Sequence, residues 1–184
     1  MFAGLLGGCV THIRTDIAEN PPPAEKFSDF NRFELVPVAL SAEDQTYAAN
    51  RKAVAKIQQD VDKTMEPVLA RWNAAGRQEG GPPRTLLIEP TIGQIKYLNA
   101  TVRVWAGALS GSSAVILNAR ITEKESGRLI ANPLFYARAA AMGGAWTFGV
   151  TDNLMLLRIA DRLTSYLQAN YAAAVGGPTG AKAK

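Results

Sequence analysis

Two long amphipathic segments, separated by a block of strand-like sequence, constrain the fold of this chain more than any other feature. Apolar residues recur at helical spacing over residues 41–75 and again over residues 151–171. Ser41 and then Thr151 or Asp152 are suitable N-caps for the two predicted helices. The apolar stripes comprise Tyr47, Val54, Ile57, Val61, Val68 and Trp72 in the first, and Leu156, Ile159, Ala160, Leu163, Tyr166, Leu167 and Tyr171 in the second.

Short apolar runs predict strands before and between these helices. The run 33–40 contains Pro37, which cannot donate to a neighbouring strand, so we expect an edge strand or a bulge there. Pro67 is expected to kink or interrupt the first helix near Met65. Further strands are predicted over residues 84–92, 101–109, 112–123 and 128–137, with turn residues at 124–127.

The order strand, long helix, several strands, long helix predicts an α+β fold. We expect a mostly antiparallel sheet of about four to five strands, with two long helices packed on one face. A single α/β domain is predicted over residues 33–172. Residues 173–184 are rich in Gly and small residues and are predicted to form a disordered tail.

Composition excludes several classes of function. The net charge is +4, but the basic residues are scattered, so we expect no nucleic-acid partner. The chain has one cysteine and one histidine, so a metal site built on several Cys or His side chains is excluded, and we expect no cofactor. The histidine, His12, lies in a predicted linker and is a poor candidate for a catalytic base.

The segment Leu6-Gly7-Gly8-Cys9 resembles the lipobox of bacterial lipoproteins. The resemblance implies cleavage before Cys9, acyl chains such as palmitate on that residue, and residues 1–8 as a signal-peptide remnant. Residues 9–32 contain three consecutive prolines and are predicted to form a flexible linker to the membrane. Lipoproteins retained at the inner membrane carry an aspartate directly after the lipidated cysteine. This chain has Val10 there, so the resemblance implies a location on the periplasmic face of the outer membrane.

Most of the chain also resembles a family of uncharacterised bacterial envelope lipoproteins with a domain of unknown function. Four stretches carry the resemblance: RTLLIEPTI, WAGALSGSSAVILNARI, ESGRLIANP and GGAWTFGVTDNLM. The family implies an envelope location and an α/β fold, and it implies no activity.

Three groups of residues are candidates for function. Met142, Trp146 and Phe148 lie in a Gly-bearing segment and could contact an envelope protein, although their apolar side chains could equally fill the core. Glu89 and Glu123 end two predicted strands and could act as a hydrolytic pair, although exposed acids at strand ends are the commoner case. The glycine- and serine-rich segment 107–113 could cradle an anion, but it lacks a P-loop lysine, which favours a tight hairpin.

Together these observations predict a non-enzymatic cell-envelope lipoprotein that acts as a binding or assembly module. Its expected partners are the membrane, through Cys9, and an envelope protein. The alternative is an envelope hydrolase or a small-ligand-binding protein that uses carboxylates such as Glu89 and Glu123.

Overall fold

Two helices and eight strands make up the regular structure in a computed structural model of the protein, which describes residues 15–40, 44–79, 82–96, 113–139 and 150–181. The helices are α1 (Ala48–Glu79) and α2 (Val150–Ala169). The strands are β1 (Glu19–Asn20), β2 (Arg32–Leu35), β3 (Ala39–Leu40), β4 (Thr85–Lys96), β5 (Ala114–Glu123), β6 (Leu129–Ala131), β7 (Leu134–Arg138) and β8 (Gly177–Pro178). Short 3₁₀ turns lie at Phe27–Asp29 and Asp44–Thr46.

The main sheet is built around the antiparallel pair β4 and β5. Strands β6 and β7 extend it beyond β5, also antiparallel, while β2 and β3 both lie parallel to β4 on its other side. The sheet therefore has six strands within the described part of the chain, against the four to five expected. The predicted strand over residues 101–109 lies outside the described residues.

One hydrophobic core joins the sheet to both helices. Alternate residues of the strands, such as Ile88, Leu117 and Phe135, point toward the apolar stripes of α1 and α2 and are fully buried with them. Trp72 stacks on Tyr171 with ring centroids 4.3 Å apart. The prediction of an α+β domain with a mostly antiparallel sheet and two long helices is confirmed.

The edge of the sheet is formed by β2 and β3, as the position of Pro37 predicted. Side chains of α1 bind the edge backbone that has no neighbouring strand. Asn73 accepts from the N–H of Phe33 at 2.7 Å and donates to its carbonyl at 3.0 Å, and Gln58 accepts from the N–H of Val38 at 2.6 Å. This arrangement protects the edge from pairing with another chain.

The expected interruption of the first helix at Pro67 is wrong, because α1 continues through it to Glu79. Pro67 lies on the exposed face, while Met65, Val68 and Leu69 around it are buried in the core. Packing of the apolar face therefore holds the helix across the missing hydrogen bond.

The expected flexible linker over residues 9–32 is corrected for residues 15–32, which pack onto the domain. Phe27 and Phe30 are buried in the main core, and β1 pairs antiparallel with β8. Backbone bonds at 2.8–2.9 Å join the N–H of Ala24 to the Ile130 carbonyl and the N–H of Phe27 to the Asn170 carbonyl. The aromatic residues after the proline tract supply the apolar area that holds the segment in place.

The expected disordered tail is corrected in the same way for residues 173–181. The side chain of Asn170 accepts from the N–H groups of Val175 and Gly176, each at 2.8 Å, and donates to the carbonyls of Tyr166 and Gly176. Thr179 then bonds to the backbone of residues 17–18 through both its N–H and its hydroxyl. The domain therefore includes both segments that composition alone assigned to tails.

Candidate functional site

Several candidate residues lie outside the described residues. These are Cys9 and the candidate partner-contact residues Met142, Trp146 and Phe148, together with most of the segment 107–113. Their roles stay predictions.

Glu89 lies on the face of the sheet that points away from the helices. It is directly opposite Arg120 on the neighbouring strand, and the Arg120 Nη1 donates to its Oε2 at 2.9 Å. Cross-strand pairs of opposite charge at exposed positions typically stabilise a sheet by less than about 1 kcal/mol.

Glu123 ends β5 on the other face and joins a network of charged side chains. Arg84 donates from Nε to Glu123 at 2.7 Å and from Nη2 to Glu25 at 2.9 Å. Arg128 contacts the same two carboxylates, Glu123 at 3.4 Å and Glu25 at 2.5 Å. The hydrogen bond from Ser126 and then the one from Arg84 lower the pKa of Glu123, while the bond from Arg84 is the main cause that lowers the pKa of Glu25.

The register of β4 and β5 keeps the two candidate carboxylates apart. Glu123 is opposite Leu86, and Glu89 lies three positions further along the same strand, about 10 Å away by strand geometry. Because side chains alternate between faces, an odd separation places the two carboxylates on opposite faces of the sheet. The structure therefore does not bring Glu89 and Glu123 together, and it holds each of them against arginine.

A cavity that the sequence interpretation missed lies between α2 and the C-terminal segment. Its volume is about 410 Å³, which is within the range of small-ligand sites. The lining comprises Arg158, Asp161, Arg162, Ser165, Tyr166, Ala169, Gly176, Gly177 and Pro178. The charged residues and Ser165 all come from α2, while the two glycines and the proline form the facing wall.

Arg162 is held in this cavity by the chain that crosses it. Its Nη1 donates to the Thr179 carbonyl at 3.3 Å. Gly180 has a φ of +90°, and a Cβ added there would lie 1.0 Å from that Nη1 and 2.7 Å from the Tyr136 carbonyl oxygen. The guanidinium of Arg162 occupies the space that a side chain at position 180 would need, so this position requires glycine.

The electrostatic environment of the cavity is positive. Burial, and secondarily the charge of Arg158, lower the pKa of Arg162 below its ordinary value. Burial raises the pKa of Tyr166 to about 12, and its hydroxyl donates to the Pro21 carbonyl at 3.3 Å. Arg162 stays protonated because the ordinary pKa of a guanidinium is so high, so the cavity holds a partly desolvated cation.

One feature of the sequence points to this cavity: Arg158 and Arg162 lie four residues apart on the second predicted helix. Such a spacing places two like charges on one helical face, which destabilises an isolated helix slightly. By composition alone, these residues belong to a scattered basic surface. The facing wall could not be inferred, because residues 173–184 were expected to be disordered.

The comparisons with known proteins identify no family for this chain. No protein-family model matches the sequence, and no curated protein is significantly similar to it. Among solved structures, the chain is similar to the dodecamer of a PelC variant from Paraburkholderia phytofirmans, with 12% identity and a TM-score of 0.40 over 77% of this chain and 90% of that one.

Two further solved structures have a comparable likeness. One is a "putative lipoprotein" from Caulobacter crescentus CB15, with 10% identity and a TM-score of 0.39 over 77% of this chain and 89% of that one. The other is the hypothetical protein CT253 from Chlamydia trachomatis, with 14% identity and a TM-score of 0.38 over 75% and 98%. Likenesses at this level do not bear on activity, ligand or assembly.

Proposed function

We propose that the protein is a bacterial cell-envelope lipoprotein whose domain acts as a non-enzymatic binding or assembly module. The observation that carries this proposal is the segment Leu6-Gly7-Gly8-Cys9, which ends six residues before the described part of the domain begins. Several acyl chains on one cysteine hold a protein stably on a bilayer, so the domain needs no spanning segment of its own. Within the described residues, neither helix has the length and apolar character needed to cross a bilayer.

The short distance between Cys9 and the domain determines how the domain would lie on the membrane. Six residues of fully extended chain span at most about 20 Å, so the end of the domain near Thr15 would stay close to the headgroup layer. The same end carries β1, β8 and the cavity beside Arg162. The module is therefore expected to work at the membrane surface and not at the end of a long tether.

The environment of the candidate carboxylates favours a binding module over the alternative of a hydrolase. An acid–base pair for glycoside hydrolysis needs two carboxyl groups on either side of one bond, with one of them protonated. Glu89 and Glu123 face opposite sides of the sheet, and arginines stabilise the charged form of Glu123. We propose that Met142, Trp146 and Phe148 contribute the contact with an envelope protein.

The outer membrane is the proposed location. The residue directly after Cys9 is Val10, whereas an aspartate at that position would act as an inner-membrane retention signal. Expression with the native upstream region in a bacterial host tests both parts of this proposal. We expect an intact mass that lacks everything before Cys9 and includes added acyl chains, and we expect the protein in the outer-membrane fraction.

Two variants sharpen this test. Cys9→Ser should abolish the added mass and release the protein from membranes, while Val10→Asp should keep the acyl chains and move the protein to the inner-membrane fraction. Thr11→Ser, a conservative change two residues after the cysteine, is the matched control and should behave as the wild type. An unmodified Cys9 in the wild-type protein would overturn the proposal.

A further inference from the structure

The cavity between α2 and the C-terminal segment presents two guanidinium groups to one small volume. Arg158 and Arg162 are four residues apart on α2, so both side chains project from the same helical face toward the wall formed by Gly176, Gly177 and Pro178. We propose that this cavity binds a phosphate-bearing group, with Arg158 and Arg162 as its ligands. Planar guanidinium groups are well suited to phosphate because each can donate two parallel hydrogen bonds.

Within the described part of the chain, Arg162 forms no ion pair with an acidic side chain. A guanidinium has five N–H donors, and Arg162 uses Nη1 for the Thr179 carbonyl. Burial in the surrounding protein, and secondarily the like charge of Arg158, lower the pKa of this guanidinium. A bound anion would offset both unfavourable contributions, because a partly buried charge is stabilised by a paired and hydrogen-bonded partner.

A purely structural role accounts for only part of this arrangement. The bond to Thr179 explains why one N–H of Arg162 faces the C-terminal segment. It does not explain Arg158, which is exposed and adds a like charge one helical turn away at a small cost in helix stability. The pair becomes favourable when a single anion bridges the two guanidinium groups.

Asp161 and Ser165 narrow the chemical class of the ligand. Ser165 lies on the same helical face and supplies a hydroxyl donor, whereas Asp161 brings a carboxylate to the lining of the cavity. Two cations and one anion are complementary to a phosphate ester that also carries an ammonium group. Phosphoethanolamine is the simplest such ester.

The position of the cavity suggests a source for this phosphate. The facing wall includes β8, which pairs with β1, so the cavity lies close to the N-terminal end of the described domain. If Cys9 is lipidated, as in the proposed function, this end lies near lipid headgroups. Only the idea that the phosphate comes from a lipid headgroup rests on the proposed function. The cavity itself is formed by residues that the structure describes.

The test uses the full-length chain with Cys9→Ser, so that its outcome does not depend on lipidation. Phosphoethanolamine and inorganic phosphate are titrated while the backbone amides are followed by NMR. We expect saturable shifts centred on Ser165 and Gly177. Arg158→Gln should weaken binding roughly tenfold, as expected for a lost charge-assisted hydrogen bond.

Two further variants separate the site from general charge and from folding. Arg71→Gln removes the same charge from the exposed surface of α1, outside the cavity, and should leave the affinity unchanged. Arg162→Lys keeps the charge but loses the planar donor pair, and should weaken binding with an otherwise native spectrum. Equal weakening by Arg71→Gln and Arg158→Gln, or shifts spread over the whole surface, would overturn the proposal.

Vesicles of phosphatidylethanolamine and phosphatidylglycerol distinguish the two sources of phosphate. Co-sedimentation that Arg158→Gln reduces and Arg71→Gln does not would support the lipid headgroup. The two variants could instead reduce vesicle binding equally while phosphoethanolamine still binds selectively. This result would overturn the lipid headgroup as the source of the phosphate and would support a free phosphate ester.

Discussion

At the scale of single residues, Arg84 joins parts of the chain that are far apart in sequence. Its guanidinium bonds to Glu25 in the N-terminal segment and to Glu123 at the end of β5, and it lies 4.6 Å above the ring of Phe30. The two carboxylates in turn raise the pKa of Arg84. Because Arg84, together with Arg128, links the N-terminal segment to the sheet, the network should couple the docking of that segment to the charge of both acids.

We therefore expect the stability of the protein to fall in acid. The pKa values of Glu25 and Glu123 are lowered in the folded state, so the unfolded chain binds more protons when the pH drops below about 5. The stability that these charged acids contribute is complete above their unfolded pKa values and is lost as the pH falls through the folded ones. Urea unfolding at a series of pH values measures this dependence.

The variant Arg84→Gln should make the unfolding free energy depend less on pH between about pH 5 and pH 2, because it removes a cause of both shifts. Arg71→Gln removes an equal charge from α1 and should keep the wild-type slope. Identical slopes for Arg84→Gln and the wild type would show that other groups dominate the acid sensitivity.

At the scale of elements, the edge strand β2 depends on α1 for its unpaired backbone groups. Asn73 bonds to both the N–H and the carbonyl of Phe33. We expect Asn73→Ala to lower the unfolding free energy by about 1–3 kcal/mol, because it leaves these groups unsatisfied next to the core. Gln59→Ala removes an exposed amide side chain from the same helix and serves as the control.

Hydrogen exchange gives a local measurement of the same effect. The Phe33 amide should exchange faster in Asn73→Ala than in Gln59→Ala. The exchange rates of the β4 amides bonded to β5 should change only as much as the change in global stability requires. An unchanged exchange rate at Phe33 would mean that water replaces the side-chain amide of Asn73 without a cost in free energy.

The predicted elements agree with the structure where apolar periodicity is continuous, and they differ from it in extent where a proline occurs. Residues 33–40 were expected as one strand, and the structure divides them into β2 and β3 on either side of Val36-Pro37-Val38. Likewise, Asn132 and Pro133 separate β6 from β7 within the predicted strand 128–137. Pro67 had the opposite outcome, because local propensity favours a break but burial of the surrounding apolar residues outweighs it.

At the scale of the whole molecule, the two ends of the domain are tied together. The β1–β8 pair, the bonds of Thr179 to residues 17–18 and the burial of Phe27 form a continuous closure across the end of the sheet. The sequence could not predict this closure, because it depends on contacts between residues more than 150 positions apart. The cavity beside Arg162 was missed for the same reason, since one of its walls belongs to the closure.

Asn170 holds the C-terminal part of this closure against α2. It is fully buried, and its amide group bonds to Tyr166, Val175 and Gly176. We expect Asn170→Ala to cost more than about 2 kcal/mol of unfolding free energy, because several buried backbone groups lose their partner. Gln168→Ala, at an exposed position two residues earlier on α2, is the matched control.

Hydrogen exchange monitored by mass spectrometry should show which segments Asn170→Ala releases. Because β8 pairs with β1, peptides covering residues 15–20 and 174–181 should lose protection together, while peptides from β4 and β5 stay protected. If only residues 174–181 were released, the remaining contacts of the N-terminal segment, which include the burial of Phe27 and Phe30 and the ion pairs of Glu25, would be enough to hold it without the strand pair. Joint release would show that β1 and β8 form one cooperative unit. Because β8 contributes to one wall of the cavity, an anion bound there should then also stabilise the docking of the N-terminal segment.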